Sequence, residues 1–352
     1  MIRLTWRQFR AQVALALTTL GAVALVAAIA RPHLIHLYNT TVAGCSARGN
    51  CDSAISAFLT TDHTLAGWLN VLVVVVPGLI GVFWGSTLVA RELETGTYRL
   101  AWTQSVTRTR WLAVKLAVVG LVGMAVAGLF SLIVTWWAGP LDRANMDRFG
   151  AFDWRGIVPL GHAAFALMLG VTIGALARRM LPAMGTTLVA FVAVRLAFTH
   201  LIRPHLISPL HRTVALTKVS MGFGSMNGGP FTLLPDAPRM PNAWVYSTQV
   251  VDKAGHSLPT RVVSRVCPTI GQGGPPRNGP SGGGAVRGPA PQKAVDDLHQ
   301  CVIKLSARYH ELVTYQPAHR YWAFQWIELA VYLASALALA GFCFWWIRRR
   351  LS

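Results

Sequence analysis

Arg91-Glu92-Leu93-Glu94-Thr95-Gly96-Thr97, running on to Trp102, Gln104, Arg108 and Lys115, is a compact polar block between two strongly apolar stretches, 68–89 and 112–137. Each stretch has the roughly 17 to 25 residues with which a helix crosses a bilayer, so the block emerges at a membrane surface. Outward from it, four more runs reach a similar length: 11–30, 157–177, 182–202 and 322–347. Of the 352 residues, 53% are hydrophobic and only 13% charged, too few to clothe a soluble globule of this size. The expected fold class is therefore an all-α integral membrane protein with six transmembrane helices. An even number of spans puts both termini on one side.

Basic residues resist translocation, so their distribution beside the spans sets the orientation. The N-terminal tail, the polar block, the turn at Arg178 and Arg179 and the C-terminal Arg348-Arg349-Arg350 together hold thirteen Lys and Arg. The short loops on the other side hold five: Arg31, Arg48, Arg143, Arg148 and Arg155. Both termini are expected in the cytoplasm. Much of the formal charge of +19 thus lies where the membrane rule puts it, and nucleic acid is not expected as a partner. The first run has a basic start and small residues at 27–30, as a secretory signal does, but its apolar core exceeds the usual ~7 to 15 residues. It reads as a retained span.

Four of the five cysteines, Cys45, Cys51, Cys267 and Cys301, fall in loops expected outside, where disulfides form. Cys45 with Cys51 and Cys267 with Cys301 is the simplest of three pairings, and four free thiols are the alternative. The chain divides into an interfacial helix at 1–10, five spans over 11–202, an extracellular domain at 203–321, and the sixth span with its basic tail at 322–352. In the extracellular insertion, Trp244 to Val251 and Leu258 to Cys267 read as a hairpin around Asp252-Lys253-Ala254-Gly255. Residues 268–292 are dominated by Gly and Pro and read as a disordered tether. Val295, Leu298, Val302, Leu305, Tyr309 and Leu312 then recur at helical spacing. The insertion is expected to be α+β and partly disordered.

The polar block resembles the turn after the second span in the ABC-2 family of bacterial ABC-transporter permeases. That turn carries an acidic residue, a spacer, Gly-Thr, then Gln or Thr, Arg and Lys. Glu92, Glu94, Gly96, Thr97, Gln104, Arg108 and Lys115 fill those places. The stretch from Tyr315 through Phe324-Gln325-Trp326 to Glu328 is similar to the start of the last span in an actinobacterial group of these permeases, and the basic N-terminal helix is similar to the family's elbow helix. The resemblance implies a multi-pass subunit of the bacterial plasma membrane, an exporter without an ATPase site of its own. It also implies a separate ATPase subunit that binds ATP, and a second permease copy forming a homodimer or a heterodimer with a paralogue. Segment 91–111 would be the coupling segment, with Glu92, Glu94, Gly96, Thr97, Gln104 and Arg108 contacting the ATPase. The competing reading is a six-span sensor or accessory protein whose ectodomain recognises a ligand.

Charges within the spans are the other candidates for function. Arg195 in span five lies at a depth where a charge costs about 2.5 to 3.5 kcal/mol, so it faces the bundle or a wet pathway, or else snorkels to the headgroups. Glu328 in span six is an acidic partner for Arg195, His200 or Arg203, and His162 in span four joins them in a candidate intramembrane polar pathway. Gly170 and Gly174 with Ala166 allow close helix packing, internal or at a dimer seam. Pro77-Gly78 and Pro159 are expected to bend their spans. His33 and His36 lack a third ligand, so no metal site is expected. No phosphate loop or HExxH motif is present in the sequence, and no exposed GxSxG serine elbow is expected.

Overall fold

The computed structural model describes residues 2–45, 51–61, 63–95, 107–216, 221–224, 232–235, 240–266 and 292–350. They form two compact units, 1–207 with 319–352, and 208–318. The first unit contains six helices long and apolar enough to cross a membrane: Phe9–Ala43, His63–Thr95, Thr109–Trp137, Val158–Ala177, Met180–His205 and Ala318–Arg349. They are called spans one to six. All six expected spans are present.

Span four is the most buried, and spans two, three, five and six pack around it. Its contact with span two is backbone on backbone. After Pro77 the span-two helix continues to Leu79, widens to a π-helical turn at Ile80–Gly85, and resumes as Ser86–Thr95. That turn lays Gly81 and Gly85 on span four. A Cβ on Gly170 would lie 2.2 Å from the Gly81 carbonyl oxygen, and one on Gly174 2.5 Å from that of Ser86. These small residues therefore serve packing inside the bundle, where dispersion over a close helix contact replaces a hydrophobic driving force. Spans one, two, three and four share a core that includes Phe9, Leu20, Trp84, Phe130 and Leu167. Large side chains such as Leu15, Ile29, Leu132, Leu181 and Leu337 are exposed, as lipid-facing residues must be.

Two local expectations change. The basic N-terminus is not a separate elbow, because one helix runs from Ile2 to Leu37 and nothing at 10–11 breaks it. Its Phe9 is already buried edge-to-face on Trp84, with ring centroids 4.6 Å apart. Pro159 does not bend span four, since it occupies the first turn of the helix, where its missing N–H has no intrahelical role.

The second unit contains a three-stranded antiparallel sheet in the order β1-β5-β4, formed by Leu210–Ala215 (β1), Tyr309–Gln316 (β5) and Trp244–Asp252 (β4). Met221–Gly224 (β2) and Thr232–Pro235 (β3) pair separately. The turn at Asp252 forms as expected, its Oδ1 accepting from the N–H groups of Ala254 and His256, both at 2.9 Å. The strand after it does not form. Pro259 has no N–H to offer a ladder, and Thr260–Val266 is a short helix. Strand β4 pairs instead with β5. The helical spacing that begins at Val295 stops at Ser306, and Tyr309–Gln316 is the central strand. Its residues Glu311 and Val313 are buried two apart, the strand period. Of the Gly/Pro tether, residues 268–291 lie outside the described residues.

Cys45 and Cys51 are joined in a disulfide, with Cα atoms 5.7 Å apart. Cys301 is also disulfide-bonded. Cys267 lies outside the described residues, and Cys343 is a free, buried thiol in span six.

Candidate functional site

The membrane unit holds polar side chains at both ends of its spans. At the first end, spans two and three are joined through the polar block. Thr107 caps span three, its hydroxyl accepting from the Arg110 N–H at 3.4 Å. Lys115, about two turns further in, is buried against the Trp111 ring at 4.5 Å and forms an ion pair with Glu92 at the end of span two. Glu94 reaches the other way. Its Oε2 accepts from the Met180 N–H at 2.9 Å, so it caps the N-terminus of span five, which has no side-chain cap of its own. A carboxylate there also complements the positive end of the helix dipole.

The two acids have partners in neighbouring spans. Both are engaged within the chain, Glu92 with span three and Glu94 with span five. Of the other coupling candidates, Arg108 begins the span-three helix. Gly96, Thr97 and Gln104 lie outside the described residues.

At the second end, where span four begins, span five ends and span six begins, five titratable side chains converge. Arg203 is buried and holds Glu328 in a two-pronged pair, Nε to Oε2 and Nη2 to Oε1, both 2.9 Å. The same guanidinium holds Asp153, with Nη2 2.6 Å from Oδ1 and Nη1 3.1 Å from Oδ2. Arg195 donates to Asp153 Oδ1 at 3.2 Å. Its Nη1 lies against the ring of His162, 2.6 Å from Nε2, and that nitrogen is 3.3 Å from Glu328 Oε1. Two guanidinium groups thus face two carboxylates, and their formal charges cancel. Burial raises the proton affinity of Asp153, but the hydrogen bonds and charge of Arg203, with the charge of Arg195, outweigh it and hold the carboxyl below its usual range.

The structure brings Arg195, His162 and Glu328 into one group. It adds Asp153, which carries the charge balance, and makes Arg203 the hub, while His200 is exposed. Sequence reasoning also missed Gln325. Its side-chain oxygen accepts from the N–H groups of Ile157 and Val158 at 3.0 and 3.2 Å, and its amide nitrogen reaches the Phe152 and Arg155 carbonyls and the Tyr321 hydroxyl. One buried amide from span six thereby caps span four and fixes the connector before it. Gly156 makes room, because it has φ +74° and a Cβ there would lie 2.7 Å from the Gln325 oxygen. The signal available in the sequence was a glutamine one turn before Glu328, within an otherwise apolar span.

Among the described residues, no group of three or more His, Cys, Asp or Glu is arranged to hold a metal ion. His33 and His36 are exposed on the first helix.

Six spans and a polar connection between the second and third define a multi-pass membrane protein. The family described as "ABC-2 membrane transporter related" matches residues 17–203, more than half of the chain, and the chain belongs to it. It is an ABC-transporter permease-type protein of the bacterial plasma membrane, and members of this family are membrane components that generally lack an ATPase site of their own. No curated protein and no solved structure matches the chain.

Proposed function

We propose that this chain is the permease subunit of an exporter, driven by ATP hydrolysis on a separate ATPase subunit and completed by a second permease copy, identical or paralogous. The observation that carries this reading is the pair of ties beside the polar block. Glu92 fastens the end of span two to span three, and Glu94 fastens it to span five. Force applied to segment 96–106 would therefore reach three spans at once, which suits a subunit moved by a partner's closing. The ATPase side is the cytoplasm, where the thirteen flanking basic residues keep both termini. The contact itself falls to Gly96, Thr97, Gln104 and Arg108, while the two acids transmit it inward.

Copurification with the ATPase subunit tests this reading. Gln104→Ala combined with Arg108→Glu is expected to insert and melt normally but lose ATPase association and substrate-stimulated hydrolysis. Association and transport at the wild-type level in that variant would overturn the assignment, as would reporter fusions that place the C-terminus outside.

A further inference from the structure

A cleft of about 510 Å³ opens between spans one, two and three at the end that carries the polar block. Its volume lies within the roughly 300–1,000 Å³ of small-ligand sites. Its lining has two characters. Phe9, Trp84, Leu88 and Val119 give it an apolar wall, and Arg91, Glu92 and Lys115 give it a charged one. The two walls meet where the apolar run of span two ends, because Arg91 is the first charge after 68–89, and Phe9 lies just before the apolar run 11–30 of span one. The cleft thus straddles the boundary between hydrocarbon and headgroups.

The charged wall carries one net positive charge, and that charge is available. Lys115 is committed to Glu92. The Thr87 hydroxyl donates to the Phe83 carbonyl of its own helix, and the Thr95 hydroxyl to that of Arg91 at 2.8 Å. Arg91 is exposed and has no ion-pair partner among the described residues. It offers a planar donor fork suited to a phosphate.

We propose that this cleft binds one anionic phospholipid, its phosphate on Arg91 and an acyl chain along Phe9, Trp84, Leu88 and Val119. Basic pockets between transmembrane helices take such headgroups, and the apolar wall gives no advantage to a free phosphate. The lipid would lie against the Glu92–Lys115 tie. The proposal does not depend on the ATPase partnership.

The full-length protein in mild detergent, titrated with phosphatidylglycerol or phosphatidylcholine and read by native mass spectrometry, tests it. One phosphatidylglycerol per chain is expected to be retained in preference to phosphatidylcholine. Arg91→Gln is expected to weaken that retention roughly fivefold, the loss of one basic contact at about 1 kcal/mol. Leu88→Trp, which fills the cleft, is expected to weaken it as well. Arg179→Gln changes an exposed arginine at the same end of the bundle, outside the cleft lining, and is expected to leave retention unchanged. Equal retention of the two lipids, an equal loss in Arg179→Gln, or no loss in either cleft variant would overturn the site. Competition by inorganic phosphate as effective as that by phosphatidylglycerol would overturn the lipid assignment in favour of a phosphate site.

Discussion

At the end of the bundle where spans two and three are joined, an apolar cluster that includes Val89, Leu112, Val171 and Ile347 packs the helices, and the charged ties are single: one ion pair from Glu92 and one backbone cap from Glu94. At the opposite end, Arg203, Glu328, Asp153, Arg195 and His162 form a mutually shared network, and Gln325 adds contacts to five groups beside it. The contrast lies in redundancy. Losing a contact at the first end frees one helix terminus, whereas losing one at the second strands charges that are already out of water. A permease of this build is expected to move at the first end and pivot at the second, since packed interfaces switch between discrete arrangements more readily than they deform.

The sharpest way to break this comparison is Arg203→Leu, which leaves Glu328 buried and Asp153 short of its main partner. It is expected to cost about 3–5 kcal/mol, seen as a large drop in melting temperature or in folded yield in detergent. Replacing Glu328 by Leu in the same chain is expected to restore part of that loss, and a double variant worse than the single one would remove the network from its role as anchor. Acid gives a smaller effect of definite sign. Because Asp153 is held below its ordinary value, its contribution is fully present above about pH 4 and fades as pH falls through the lowered value. Melting curves should therefore show wild type ahead of Asp153→Asn at pH 7, with the gap closing below about pH 4. The smallest effect belongs to the first end: Glu94→Gln is expected to cost about 0.3–1 kcal/mol of stability while uncoupling transport more than that figure suggests. A loss there as large as that of Arg203→Leu would erase the distinction between the two ends.

The spans were legible because a bilayer forces long apolar runs, and Arg195, His162 and Glu328 stood out because a polar side chain inside such a run needs a partner. Asp153 was not legible. It sits in a short connector with Asp142, Asp147 and Arg148, where a carboxylate reads as solvated, and only the folding back of span five brings Arg203 onto it. Pro159 misled for a related reason, since a proline in an apolar run reads as a kink until the helix is seen to start just before it. Residues Tyr309 and Leu312 continued a helical spacing, yet the aromatic and β-branched run Tyr309–Gln316 met two partner strands, and tertiary pairing overrode the local pattern. The tie from Glu94 to Met180 links positions 86 residues apart, beyond the reach of spacing arguments.

The Arg203–Glu328 pair also fastens the two places where the chain leaves the membrane unit and returns to it, because the second unit runs from Ser208 to Ala318 between spans five and six. With its exit and return already clamped, the bundle has no need of that unit to bring its last two helices together. The locus is thus a natural graft point, where a short linker in place of residues 208–318 is expected to leave the six-helix scaffold folded.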